Sequence, residues 1–500
     1  MFGSLFASGA SKKKAVEVKR ISNKQASSDV GGAAKSRPLS SPSRPAPTSS
    51  KRKLDEPKPS KVTQRLKPPV QRRSQSVQTP LFGSEDSESE DEAAVAAKRR
   101  RLEAEEVDKG RKLRRKDMFV DTAAEDFKFI HATEIPPLDK TAKFAPLLEE
   151  FPEDEVLELQ YPSQAPKESF RLLQPLHDSH GYQAVSDIVE SMHEIAANFL
   201  PEDVAEEFDN DSTGYPRRFR RAIKKKEPDT IREVIRGWND ALLKLVEDGT
   251  VAGVLDGKHT LRPSLVERIL NQAYSRTVSP NLKLLKKYQA GTDNVYGELL
   301  PKFVTKILKE DLRLRSGQIF VDLGSGVGNV VLQAALETGC ESWGCEMMKD
   351  YYRVADLQQA EFQARARLWG LRMGQVHLEK GNFTENTAIK KILSKADAVL
   401  VNNQVFTPAT NEALTTLFLD LKDGCKVVSL KSFVPADHKI TARNLNSPYN
   451  LLKVEKKRYF SNCVSWTNEG GTYFISIKDS KRVQNFLKKR QTDVESDGSL

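Results

Sequence analysis

Ile319-Phe320-Val321-Asp322-Leu323-Gly324-Ser325-Gly326-Val327-Gly328-Asn329 is the stretch that decides the fold. Five residues, apolar but for one acid, predict a buried strand, and Val330 to Leu336 behind the glycines predict a helix. Glycines between a strand and a helix let the backbone turn sharply and approach a ligand without side-chain collision. The spacing is GxGxG and not the pyrophosphate-cradling GxGxxG, and Asp322 precedes the first glycine by two positions. No Gly-Lys-Ser/Thr follows, which excludes a P-loop.

Downstream, apolar strands and helical stretches alternate. Ser342 to Glu346 predicts a second strand and Tyr351 to Trp369 a long amphipathic helix. Further strands fit Val376–Glu379, Ala398–Val401 and Val427–Leu430, which predicts a doubly wound, mostly parallel sheet. Two late strands, near Leu452–Lys456 and Tyr473–Ile477, have no long helix between them and suggest an antiparallel pair at one end. The expected α/β fold has a seven-stranded sheet within residues 295–480.

Upstream, residues 160–294 show helical spacing, as in Ile231-Val234-Ile235-Trp238-Leu242-Leu245, and predict a small helical domain. It contains the cluster Arg217-Arg218-Phe219-Arg220-Arg221 with Lys224-Lys225-Lys226. This cluster reads either as a solvated helix face or as a nucleic-acid contact. Residues 1–159 are rich in Ser, Pro, Lys, Arg and Glu, a composition that cannot bury enough apolar area to offset chain entropy. A disordered basic arm is expected there, and a disordered tail over 481–500. The arm's clusters Lys12–Lys14, Lys51–Lys53, Lys98–Arg101 and Lys109–Lys116 fit nuclear import signals, nucleic-acid contacts or solubilising charge. The run from Ser84 to Glu92 is acidic and serine-rich, and its role stays open.

The net charge of +10 points to a polyanionic partner. Four cysteines in 500 residues, none in a CxxC pair, argue against a disulfide scaffold or a zinc site. They fit reduced thiols of an intracellular protein. No run approaches ~18 apolar residues, and the opening Met1–Phe6 is too short for a signal-peptide core, so a soluble protein that is not secreted is expected.

Glu346 closes the second strand where such folds place a carboxylate on ribose hydroxyls. Together with Asp322 it suits a ligand with a cationic amino-acid end and a neutral ribose, as in S-adenosylmethionine. A pyrophosphate nucleotide would meet repulsion. Asn382-Phe383 after the third strand could bind adenine by hydrogen bond and stacking, although Asn is also a common turn residue. Methyl transfer to a lysine needs a neutral amine, whose ordinary pKa is about 10.4, and an apolar aromatic channel disfavours the ammonium. Rings also attract a sulfonium or methylated ammonium. Phe406, Trp466 and Tyr473 are candidates for such a channel, although taken singly such aromatics more often fill core positions.

The motifs Val295-Tyr296-Gly297-Glu298, Asp322 to Gly328, Val401-Asn402-Asn403, Ser429-Leu430-Lys431 and Val464-Ser465-Trp466-Thr467 occur in the order of the disruptor-of-telomeric-silencing family. The chain resembles these non-SET histone H3 lysine-79 methyltransferases over residues 165–480, and a fungal member in particular. The resemblance implies a class I methyltransferase fold, a nuclear location and a role in chromatin regulation and telomeric silencing. It implies S-adenosylmethionine as cofactor, S-adenosylhomocysteine as product, no metal, and the nucleosome as partner through histone H3 and DNA. A monomer is expected. Cofactor contacts carry over to Tyr296, Gly297, Glu298, Leu299, Glu346, Asn382 and Phe383, and to the run Phe320, Val321, Asp322, Leu323, Gly324, Ser325, Gly326, Val327, Gly328, Asn329. Asn402, Phe406, Trp466 and Tyr473 match the region of the target-lysine channel. Asn382 stands where relatives commonly have aspartate, and Gln404 replaces a usual phenylalanine.

Other classes fit less well. A nucleic-acid adenine methyltransferase would show Asp/Asn-Pro-Pro-aromatic after the fourth strand, where Asn402-Asn403-Gln404 stands. A nicotinamide-dependent oxidoreductase fits the glycine spacing less well. A non-catalytic chromatin-binding protein would not need the glycine loop, Glu346 and the channel candidates together.

Overall fold

Strand Ile319–Leu323 (β1) is apolar on both faces, so it can lie only where both faces are covered. It sits in the interior of a seven-stranded sheet, with strands on both sides. The others are Glu341–Glu346 (β2), Val376–Lys380 (β3), Ala398–Val401 (β4), Lys426–Ser429 (β5), Leu452–Tyr459 (β6) and Gly471–Lys478 (β7). Their order is β6-β7-β5-β4-β1-β2-β3. The five strands from β5 to β3 are parallel, and β6 and β7 close the sheet as an antiparallel pair. The doubly wound sheet read from the sequence is the one observed. The computed structural model describes residues 107–120, 127–135, 144–149, 151–152, 154–175, 182–285 and 297–497, all within the compact unit Asp86–Leu500.

Chain order reverses at β1, whose neighbours β2 and β4 lead away in opposite directions. A crevice opens at such a switch point, beyond the carboxyl ends of the strands. Register places Asp322 beside Gly344 of β2 and Leu400 of β4, so this acid sits one residue from the end of β1.

The helical domain comprises Ala184–Phe199 (α1), Glu202–Phe208 (α2), Tyr215–Lys225 (α3), Pro228–Glu247 (α4), Thr250–Asp256 (α5) and Pro263–Thr277 (α6). Two short antiparallel strand pairs accompany it, one joining Leu157–Leu159 to Glu168–Phe170 and one joining Phe144–Pro146 to Leu173–Pro175. Helix α4 buries Ile231, Val234, Ile235, Trp238 and Leu242, the stripe that its spacing predicts. Asn329–Thr338 (α7) follows β1, Lys349–Leu368 (α8) follows β2, Thr387–Leu393 (α9) follows β3 and Pro408–Leu417 (α10) follows β4.

Helix α6 packs along α8, and ions bind the two parts where they meet. Glu168 is fully buried between Arg276 of α6, at 2.6 Å, and Arg365 of α8, at 2.5 Å. Burial alone would raise the Glu168 pKa, but the two guanidinium groups hold it down at about 2. Asp187, Glu361, Gln272 and the Tyr161 hydroxyl complete the network.

Two expected boundaries are corrected. The arm expected over residues 1–159 does not reach 159, because residues 107–120 and the described parts of 127–159 belong to the folded body. Arg111 is buried and donates to the Leu336 and Glu337 carbonyls at the end of α7. Leu113 and Met118 are buried in the core, and Arg114 pairs with Asp256 at 2.7 Å. The Lys109–Lys116 cluster is therefore not a free basic tail. Its other expected contacts, at residues 12–14, 51–53 and 98–101, lie outside the described residues, as does the acidic run 84–92. The second correction is at the other end, where Lys481–Asp497 (α11) is a helix and not a structureless tail. No described helix is long and apolar enough to cross a membrane.

Candidate active site

Between β1 and α7 the chain passes through Gly324, Gly326 and Gly328 at φ of +88°, +56° and +88°. Side-chain-bearing residues rarely adopt this left-handed region. The Gly324 and Ser325 amides both donate to the Cys345 carbonyl at 3.0 Å, so the turn folds back on the end of β2. A Cβ on Gly324 would lie 3.4 Å from the Phe406 ring, and one on Gly344 only 2.7 Å from Ser325 Oγ. Both glycines keep room for the loop.

Three carboxylates converge on the cavity beside this loop. Glu346 accepts from the Gly326 amide at 3.0 Å and the Met348 amide at 2.7 Å. Burial raises its pKa, partly offset by these amides. Asp322 is 3% exposed, and burial, with the Glu346 charge second, pushes it up to about 7. Glu298 accepts from Asn329 Nδ2 at 2.8 Å. The Asn329 amide is in turn fixed by Gln358, whose Nε2 donates to Asn329 Oδ1 at 2.8 Å and to the Val327 carbonyl at 2.9 Å. The segment 297–299 is held from the other side as well. Glu298 and Ser465 exchange two hydrogen bonds of 2.9 Å, and Asn402 Nδ2 donates to the Gly297 carbonyl at 3.1 Å. Gly297 lies so close under Trp466 that a Cβ would come within 2.6 Å of the indole.

The cavity has a volume of about 990 Å³. Of the residues expected at the cofactor, Gly297, Glu298, Leu299, Asp322, Gly324, Ser325, Gly326, Val327, Asn329, Glu346, Asn382 and Phe383 line it. Phe320, Val321 and Leu323 do not: their side chains are buried in the core on either side of the sheet. Gly328 packs against Leu378 and Ala355, behind the turn. Tyr296 lies outside the described residues. Asn382 spends its side-chain oxygen on Thr384, accepting from its amide at 3.0 Å and its hydroxyl at 2.8 Å. It therefore shapes the turn that presents Phe383.

Of the channel candidates, Asn402, Phe406 and Trp466 line the cavity. Phe406 and Phe383 stand with centroids 6.1 Å apart and planes 28° from parallel. Trp466 is 38% exposed, as befits the mouth. Tyr473 is corrected: it is fully buried on the other face of β7, edge-on to Phe303 at 5.2 Å, and its hydroxyl donates to Asp311 at 2.7 Å. It is a core residue with a satisfied hydroxyl. The sequence reading also missed Met347, Met348, Tyr351, Thr407 and Thr410, which are among the other residues of the wall. Thr407-Pro408 is a helix-start signal, with Thr407 capping α10, and it could have placed that helix end at the cavity. Nothing local marks Tyr351.

Among the described residues, no Lys, Arg or His lines this cavity. It is an acidic, aromatic crevice at the switch point of a seven-stranded sheet with an antiparallel end, the arrangement of a class I methyltransferase.

A family model described as "Histone methylation protein DOT1" matches residues 274–478. The chain is 50% identical over 384 residues, 77% of its length and 76% of the relative's, to a protein of Emericella nidulans named "Histone-lysine N-methyltransferase, H3 lysine-79 specific". Proteins with the same name from Aspergillus fumigatus and Gibberella zeae are 46% and 44% identical, over 85% and 83% of this chain and 84% of each relative. The chain belongs to this family, the DOT1 histone-lysine methyltransferases. Among solved structures, an RNA methyltransferase from Salinibacter ruber in complex with S-adenosyl-L-homocysteine is similar at 20% identity and a TM-score of 0.24. The match covers 36% of this chain and 94% of that one.

Proposed function

We propose that the chain transfers methyl groups from S-adenosylmethionine to a lysine on the globular face of histone H3 in nucleosomes, of the lysine-79 type, in the nucleus. The observation that carries the cofactor is the charge of the cavity: three carboxylates and, among the described residues, no cationic side chain on its lining. S-adenosylmethionine brings a sulfonium and an ammonium, and when bound it supplies an activated methyl group. An acidic wall favours that cation and repels a nucleotide pyrophosphate. Glu346, which accepts from the Gly326 and Met348 amides, keeps acceptor capacity for ribose hydroxyls. Phe383 offers a ring face to adenine, and the Asn329–Glu298 bond holds segment 297–299 across the cavity.

Asn402, Phe406 and Trp466 flank the mouth, where the target lysine would enter. The apolar surroundings of Phe406 and Trp466 disfavour an ammonium relative to a neutral amine, and the three residues hold the chain in line for transfer. The names of the relatives support the histone substrate, and the basic character of the chain supports contact with nucleosomal DNA.

Labelled S-adenosylmethionine offered with nucleosomes, free histones or naked DNA tests this. Label on histone H3 of nucleosomes is the expected result, and label on DNA would replace the proposal with nucleic-acid methylation. Gly324→Arg should abolish cofactor binding with the fold intact, since the side chain would meet Phe406 at a left-handed position. Wild-type binding by that variant would remove the loop from the site.

A further inference from the structure

Helix α3 carries its charge against its own interest. Pro216, Phe219 and Ala222 bury one face in the helical domain, while Arg217, Arg218, Arg220, Arg221 and the run Lys224–Lys226 are all exposed. Cations three and four positions apart repel one another on a helix surface. Arg217 and Arg218 also stand in the first turn, where the helix dipole disfavours positive charge. Among the described residues the cluster has one ion pair, Lys225 to Glu227 at 3.2 Å. The acids of neighbouring α2 (Glu202, Asp203, Glu206 and Glu207) make no ion pair with it. Arg218 also lies over the Tyr215 ring at 5.7 Å, and Lys224 and Lys225 suit the last turn of the helix, but no carboxylate among the described residues neutralises the four arginines by an ion pair.

We propose that α3 is a docking surface for the phosphate backbone of duplex DNA. The proposal rests on the nucleosome reading above and assigns part of the DNA contact to the helical domain. Eleven helical residues extend roughly 16 Å, the span of roughly five phosphates along one strand. Four of the cations are arginines, whose planar forks suit phosphate oxygens. Phe219 and Ala222 are buried, and Tyr215, under the Arg218 guanidinium, and Ile223 are half-buried. No exposed apolar or aromatic side chain stands between the charges, whereas a surface built for a protein partner would carry such an anchor. Contacts of this kind position an enzyme without reading sequence.

The test is the salt dependence of binding of the full chain to duplex DNA and to nucleosomes. Each phosphate contact contributes about 0.9 to the slope of log affinity against log salt concentration. The quadruple variant Arg217→Gln, Arg218→Gln, Arg220→Gln, Arg221→Gln should reduce that slope by about 2 to 4, with the melting temperature no lower and S-adenosylmethionine affinity unchanged. The triple variant Lys488→Gln, Lys489→Gln, Arg490→Gln, on exposed positions of α11, should leave the slope in place. An unchanged slope in the α3 variant would overturn the proposal. So would an equal fall in both variants, which would reflect net charge alone, or lost binding to histone octamer with the DNA slope intact, which would indicate an acidic protein surface. Failure of the catalytic reading is separate: DNA binding would persist with no label on histone H3.

Discussion

Asn402 and Asn403 stand side by side after β4, yet they do different work. Asn403 is fully buried and makes four hydrogen bonds, donating to Asn411 and the Lys431 carbonyl and accepting from the Leu430 and Lys431 amides. It ties the end of β4 to the end of β5. Asn403→Ala strands buried donors and acceptors, each costing about 1–3 kcal/mol, so denaturant unfolding should show a loss of about 2–4 kcal/mol. Asn402→Ala releases only the bond to Gly297 and should lower methyl transfer with stability nearly unchanged. Gln358 gives a second contrast. It is 2% exposed and does not itself line the cavity, but from behind the wall it fixes the Asn329 amide that holds Glu298. Gln358→Met keeps the volume and removes both donors. Losing about 0.5–1.5 kcal/mol of support should weaken S-adenosylmethionine binding about two- to tenfold, with turnover at saturating cofactor unchanged. Gln358→Glu, nearly isosteric but unable to donate when ionised, should bind no better than Gln358→Met. Wild-type affinity in both variants would leave Gln358 a packing residue only.

At the scale of elements, the strand–loop–helix unit from Ile319 to Thr338 sets both geometry and charge. Burial and the Glu346 charge raise the Asp322 carboxyl from an ordinary value of 3.8 to about 7. A group whose pKa is raised by folding contributes stability that is fully present below the unfolded value and lost as pH rises through the folded one. Without ligand, the Asp322 contribution should therefore fall between about pH 4 and pH 7. A cationic ligand reverses the preference and favours the ionised form. Affinity for S-adenosylmethionine should rise with pH up to about 7 and then level off, with proton release on binding near pH 6 visible by calorimetry in buffers of different ionisation heat. Asp322→Asn should remove the proton release, and a wild-type affinity flat from about pH 5.5 to 7.5 would contradict the assignment. This unit was legible in the sequence because its signals are local: an apolar run, glycines at fixed offsets, then helical spacing. Tyr473 was not. It alternates with Ile475 and Ile477, which shows that they share a face of β7 but not which face looks at the cavity. Likewise Asn382 reads as a ligand contact or a turn residue from the same letters, and only the bonds to Thr384 decide.

For the whole molecule, the informative failure is the basic segment 107–120. Its composition reads as a solvated tail, because one buried arginine among exposed lysines leaves no periodic mark. In the fold it is a strap. Asp108 accepts from the Ser316 amide and hydroxyl, Arg111 satisfies carbonyls at the end of α7, and the Leu113 carbonyl accepts from the Arg372 amide. His259 meets the Arg111 carbonyl at 2.8 Å, and Arg114 reaches Asp256 at the end of α5. The strap thus touches both the sheet domain and the helical domain, next to a body already joined through Glu168, Arg276 and Arg365. Its removal should loosen α7, and α7 begins where the glycine loop ends. A chain lacking residues 1–106 should keep the full melting temperature and cofactor affinity. A chain lacking residues 1–120 should lose several kcal/mol, since burial of Leu113 and Met118 alone is worth about 1.5–3 kcal/mol each. Its cofactor affinity should fall with it. If the two truncations melted together, the strap would be an ornament on a body complete without it, and the arm would extend as far as residue 120.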